Sequence, residues 1–213
     1  MPVLLTFGDS NTHGTPPMAD RETYARFGPK VRWPGVARQH LGPDWELVEE
    51  GLPGRTAQFD DPGMDGLMNG HPALRQALQS HGPIDVLTIM LGTNDVKTRF
   101  GASPETIMGG IAGLLDLATS AEMQTRHGGF RVLLICPPPV VEVGVLAADF
   151  WGGAAKARAL PPLYQALAQS RGVGFLDAGD VIAVSALDGV HFEADAHEAL
   201  GAAVAAAVGK LIA

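Results

Sequence analysis

Ser10, Asn94, Asp188 and His191 are the residues of this chain whose types and settings could do chemistry. They stand in three short glycine-containing blocks: Gly8-Asp9-Ser10-Asn11, Gly92-Thr93-Asn94-Asp95 and Asp188-Gly189-Val190-His191. A serine hydroxyl is a weak nucleophile until a neighbouring base takes its proton. Histidine can do this near neutral pH, and a carboxylate can hold the imidazole in the right tautomer. Backbone N–H groups and an amide side chain can then stabilise a tetrahedral oxyanion. Together these are the parts of acyl transfer. Each also has a plainer reading. Asp9, Ser10 or Asn94 can cap a helix, and Asp188-Gly189 is an ordinary turn dipeptide. What separates the readings is whether the fold carries the blocks to one place.

The elements around the blocks predict that it does. Apolar runs ended by turn residues read as buried strands at Val3–Phe7, Asp85–Leu91 and Val132–Cys136. Shorter strands are expected at Glu46–Glu49 and Gly174–Asp177. Pro137-Pro138-Pro139 cannot continue a ladder and stops the fourth strand. Helical spacing of apolar residues marks Pro34–Leu41, Pro72–Ser80, Pro104–Thr119, Ala155–Arg171 and Ala194–Leu211. Strands and helices that alternate in this way predict an α/β fold. The expected form is a three-layer, flavodoxin-like arrangement, with about five parallel strands and helices on both faces. In such a sheet all strand carboxyl ends lie on one edge and open onto one crevice. The three blocks follow the first, third and fifth strands, and a fourth turn, Gly51 to Thr56, follows the second.

Two irregular stretches, Thr12–Arg32 and Val140–Gly153, are longer than most connections and read as functional loops or contact surfaces. Asn11 and His13 lie next to Ser10 in the sequence, and Phe150 and Trp151 are the aromatic residues of the second stretch. All four are candidates for the substrate pocket, with core packing or an oligomer contact as the alternative for Phe150 and Trp151.

Composition narrows the classes. The 213 residues suit one domain, 1–213, and 46% hydrophobic residues indicate neither disorder nor a membrane class. A net charge of −8 without a basic cluster argues against a nucleic-acid partner. No apolar run approaches the roughly 20 residues that span a bilayer, and the first residues lack a basic signal-peptide start. The single cysteine, Cys136, excludes an intrachain disulfide and reads as a core residue. A cytoplasmic protein is expected. No Gly-x-Gly-x-x-Gly or Walker-type loop is present, so no cofactor is expected. His40, His71, His81, His127 and His197 show no metal-ligand spacing.

At this point the blocks resemble a known family. Gly8-Asp9-Ser10, Gly54 in Gly-Arg-Thr, Gly92-x-Asn94-Asp95 and Asp188-x-x-His191 are similar to the four ordered blocks of the SGNH (GDSL-type) hydrolases. The stretches Arg-Trp, Glu-Glu-Gly-Leu, Met-Leu-Gly-Thr-Asn-Asp and Pro-Pro-Pro resemble the bacterial arylesterase/acyltransferase branch. The resemblance implies Ser10 as nucleophile, His191 as base and Asp188 as its orienting partner. It also implies an oxyanion hole from the Ser10 and Gly54 N–H groups and the Asn94 side chain. Gly51 is the weaker donor candidate, and Asp95 is expected to be a structural acceptor. Small acyl esters, above all acetyl esters, become the expected substrates, with acyl transfer to alcohols as a second outcome and a homo-oligomer as the expected assembly. Asn11 and His13 depart from the pattern, since the family usually carries Leu after the serine and the branch often has a Trp shortly after it.

Two other functions compete. Asp9, Asn94, Asp95, Asp188 and His191 could serve a metal-dependent phosphoesterase, and the fold could belong to a non-catalytic flavodoxin-like binding protein. An α/β-hydrolase is disfavoured because Ser10 lacks the Gly-x-Ser-x-Gly elbow.

Overall fold

A computed structural model describes residues 1–213. Five strands form one parallel sheet: β1 (Val3–Gly8), β2 (Glu46–Gly51), β3 (Val86–Met90), β4 (Arg131–Cys136) and β5 (Gly174–Asp177). Their order is β2-β1-β3-β4-β5. The order reverses between β1 and β3, and crevices at such switch points are where open α/β sheets take ligands.

Period-two alternation sends successive side chains to opposite faces and builds two cores. On one face Leu5, Phe7, Leu87, Ile89, Val132 and Leu134 pack beneath three helices, α3 (Gly70–Ser80), α4 (Pro104–Ala118) and α7 (Leu160–Arg171). On the other, Leu4, Val86, Met90, Leu133 and Ile135 meet α2 (Trp33–Leu41) and α8 (Ala194–Ile212). The alanine-rich helix α8 packs closely on α2. A Cβ at Gly201 would come within 2.6 Å of Val36 Cβ, so the contact depends on a glycine there.

The strands and long helices follow the expected boundaries within a few residues. Two helical regions differ. Ala155–Arg171 is not one helix but two, α6 (Gly153–Arg158) and α7, because Pro161 and Pro162 lack the N–H groups a continuous ladder needs and instead occupy α7's first turn. A further short helix, α5 (Ala121–His127), stands between α4 and β4, capped by Ser120 Oγ on the Met123 N–H and ended by Gly128. Ser10–His13 forms a single turn, α1, directly behind β1. No helix is long and apolar enough to cross a membrane. Cys136 is a free, buried thiol at the end of β4.

Candidate active site

The end of β1 delivers Ser10 to the switch-point crevice. Asp9 caps α1, its Oδ1 accepting the Asn11 N–H at 2.9 Å, which fixes Ser10 at the helix's first position. Ser10 Oγ lies 3.1 Å from His191 Nε2. His191 Nδ1 lies 2.6 Å from Asp188 Oδ2. Asp188 also accepts backbone N–H bonds from Val190, His191 and Met18, at 3.0, 3.0 and 2.8 Å. Burial pushes its carboxyl up, but the His191 hydrogen bonds and charge outweigh it and hold the pKa at about 2. An ionised carboxylate only accepts, so Nδ1 carries the imidazole proton. The bare Nε2 then faces the Ser10 hydroxyl, the arrangement general-base activation of a serine requires.

The turn after β2 forms the facing wall. Gly54 has φ +90°, a left-handed conformation that favours glycine, and a Cβ there would strike Met64 Sδ at 2.4 Å. Gly51 has a different constraint. A Cβ on it would meet the His13 backbone N at 2.3 Å, so it serves the packing of α1 on β2. Arg55 ties the turn to β1 by donating to Gly8 O at 2.9 Å and to Glu50 O, with its guanidinium over the Phe7 ring. Asn94 Nδ2 donates to Arg55 O at 3.0 Å and stands 3.5 Å from Asp9 Oδ2, which pins the amide's orientation.

Ser10, Gly54, Asn94 and His191 all line one cavity of about 450 Å³. Asp188 stands behind His191 rather than on the cavity wall. The Thr12–Arg32 stretch also lines the cavity, through Met18, Arg21 and Tyr24. Arg21 latches it to the Val140–Gly153 stretch by hydrogen bonds to Val145 O and Asp149 Oδ2. The same stretch therefore shapes the cavity and, through the Met18 N–H, holds the Asp188 carboxylate.

Of the four expected pocket residues, only Phe150 reaches the cavity, as a buried wall. Asn11 is turned inward by the α1 turn and donates from Nδ2 to Val190 O at 3.1 Å, tying the Ser10 turn to the His191 loop. His13, at the end of the same turn, pairs with Tyr24 Oη at 3.1 Å, off the cavity wall. Trp151 follows Phe150 in a turn that points it outward, and it is 72% exposed. Met18, Arg21 and Tyr24 belong to the stretch read as a functional loop, whereas Lys97, Arg99 and Met64 carry no such signal in the sequence. Only proximity in the fold marks them, save that Lys97 and Arg99 closely follow the Asn94 block.

The remaining ionisable groups have local roles. Both Asp95 oxygens accept the Ala57 N–H, at 2.9 and 3.1 Å, and neither Asp95 nor Asp9 lines the cavity. Burial raises Asp9 to about 6 and Asp95 to about 7. His197 accepts the Trp33 N–H at Nδ1, and burial followed by the nearby His191 lowers it to about 4. No three His, Cys, Asp or Glu side chains stand together in a way that could hold a metal ion.

Comparison with known proteins gives a consistent picture. Residues 6–199 match the model of the GDSL-like lipase/acylhydrolase family. The aryl esterase of M. smegmatis, solved in native and inhibitor-bound forms, is 40% identical with a TM-score of 0.93, covering 99% of this chain and 100% of that one. Est24, a carbohydrate acetylesterase from Sinorhizobium meliloti, is 37% identical with a TM-score of 0.94 over the same shares. No curated protein matches.

Proposed function

The chain belongs to the GDSL-like lipase/acylhydrolase family, a carboxylic ester hydrolase of the SGNH fold, and from that premise we propose that it is a serine esterase for small acyl esters, acting through Ser10, His191 and Asp188. One observation carries the assignment: the unbroken relay from Ser10 Oγ to His191 Nε2 at 3.1 Å and from Nδ1 to Asp188 Oδ2 at 2.6 Å. Ser10 Oγ attacks the ester carbonyl carbon while its proton passes to His191 Nε2. Charge gathers on the carbonyl oxygen, where the Ser10 and Gly54 N–H groups and the Asn94 amide stabilise it. Collapse of this intermediate breaks the bond to the alcohol, which leaves with the proton from Nε2. His191 then deprotonates a water, or a second alcohol, that attacks the acyl carbon, and as this second intermediate collapses the bond to Ser10 Oγ breaks and Nε2 returns the proton to Oγ.

A serine-directed phosphonate should label Ser10 stoichiometrically and abolish ester hydrolysis, and Ser10→Ala should lose activity while keeping its melting temperature. An alanine variant with wild-type turnover would overturn the nucleophile assignment.

The cavity supports a short-acyl preference. Thr15, Asn94, Lys97 and Arg99 stand among its apolar side chains Met18, Met64, Leu146, Phe150 and Val190, so polar and charged groups interrupt the surface a long chain would need. Each methylene contributes about 0.8 kcal/mol only when buried, so long chains gain little here. Across p-nitrophenyl esters, kcat/KM should fall beyond propionyl; a steady rise to octanoyl would refute the assignment. A homo-oligomer belongs to the same reading, since Tyr24, Leu67 and Trp151 leave large apolar surface exposed. Light scattering that finds only a 22.2 kDa species would refute it.

A further inference from the structure

Lys97 is the one buried cation of the cavity without a hydrogen bond or close ion pair of its own. Its side chain is 8% exposed, lines the same cavity as Ser10 and His191, and makes neither a hydrogen bond nor an ion pair through Nζ. The neighbouring cations are already committed. Arg99 pairs with Asp61 at 3.3 Å and with Asp149 at 3.8 Å, and Arg21 pairs with Asp149 at 2.6 Å. The contact recorded for the ammonium is the face of Phe150, whose ring centroid is 5.7 Å from Nζ. The Lys97 N–H donates to Asn94 O at 3.2 Å, so the ammonium's segment continues directly from the proposed oxyanion residue along one wall.

A charge taken out of water without a partner is costly, and a ligand that brings the opposite charge recovers much of that cost. A neutral hydroxyl or carbonyl recovers less, because hydrogen bonds between two ionised groups are the stronger ones. Burial, followed by the Arg99 charge, draws the Lys97 pKa below its usual value against the opposing charges of Asp61, Asp149 and Asp9. Resting on the esterase reading above, we propose that Lys97 is a specificity-determining residue that selects esters bearing a carboxylate, with the adjoining carbon chain or ring against Phe150.

The test compares matched esters. 4-Acetoxybenzoate against its methyl ester places the charge on the alcohol side, and p-nitrophenyl hemisuccinate against the butyrate places it on the acyl side. In the wild-type enzyme at least one carboxylate ester should exceed its neutral partner in kcat/KM by about tenfold, mainly through KM. Lys97→Met should bring that ratio close to one, and Lys97→Arg should restore most of it. A lysine that only supported the loop would change both members of a pair alike and leave the ratio standing. A wild-type enzyme that prefers neither carboxylate ester, or a preference that survives Lys97→Met, would overturn the proposal. Failure to turn over any of the four esters would instead sink the esterase reading, and this inference with it.

Discussion

Asp188 and the pair Asp9 and Asp95 stand at the same edge of the sheet, and all three carboxyls are buried. Their chemistry diverges all the same. Asp188 is held at about 2, whereas Asp9 and Asp95 are raised to about 6 and about 7. The difference lies in their partners. Asp188 receives three backbone N–H groups and the His191 imidazole. Asp95 receives one backbone N–H across both oxygens, and Asp9 one plus a 3.5 Å approach from Asn94. Burial penalises the charge of all three, and only the carboxylate with enough donors escapes the penalty. A buried acid at a strand end is thus no indication of catalysis by itself, and Asp188 is set apart from the other two by its donors.

The most severe way to break this contrast is at Asp188. Asp188→Asn keeps the shape but allows an amide to face Nδ1, which favours the wrong imidazole tautomer. We expect kcat to fall by about 10⁴-fold, with the fold retained by circular dichroism. A loss below tenfold would mean that the Asp188–His191 bond is only structural.

Asn94→Ala comes next. It removes an amide that Arg55 O aims at the cavity, and kcat should fall by about 10²–10³-fold with little change in KM. A change confined to KM would make Asn94 a binding residue. Asp95→Asn should act differently. Its effect on kcat should stay within about tenfold, whereas the strained replacement of a carboxylate that accepts one N–H with both oxygens should cost about 1–3 kcal/mol of stability. Denaturation in urea separates the two effects. A thousandfold loss of kcat with unchanged stability would place Asp95 in the chemistry.

Much of this arrangement was legible in the sequence. The apolar runs of β1, β3 and β4, each closed by a turn, predict a parallel sheet, and a parallel sheet carries the Ser10, Asn94 and Asp188–His191 blocks to one edge. The pocket was less legible, because neighbours in sequence need not face the same way. Asn11 and His13 follow Ser10 on a helical turn that rotates them off the cavity, and the chain turns between Phe150 and Trp151. The wall made by Met18, Arg21 and Tyr24 comes from a stretch without periodicity. Its placement rests on single contacts, such as Arg21 on Asp149, that no local pattern encodes. The α6–α7 break, by contrast, was written in Pro161-Pro162, and the start and end of α5 in Ser120 and Gly128.

The smallest effect is the most direct reading of the contrast, because the two kinds of carboxyl should shape stability in opposite pH windows. Asp188 binds its proton less tightly in the folded chain than in the unfolded one, where the ordinary value is 3.8. Its contribution is therefore fully present above about pH 4 and is lost as pH falls through about 2. Asp95 has the opposite sign. With a folded pKa of about 7 against 3.8, the folded chain holds the proton longer, so stability declines as pH rises towards and through 7. Asp9 adds to the decline at lower pH, around its value of about 6. His197, lowered to about 4 from 6.5, works against it and fades only as pH rises past 6.5. Between pH 6.5 and 8.5 the Asp95 term should dominate among these groups, at about 1 kcal/mol. That corresponds to a fall in Tm of about 2–4 °C for a chain of this length. Calorimetry across that interval should show the decline in the wild type and a flatter profile in Asp95→Asn, with Asp188→Asn indistinguishable from wild type there. A decline that persists undiminished in Asp95→Asn would show that Asp95 is ionised in the folded chain throughout, and the contrast with Asp188 would collapse.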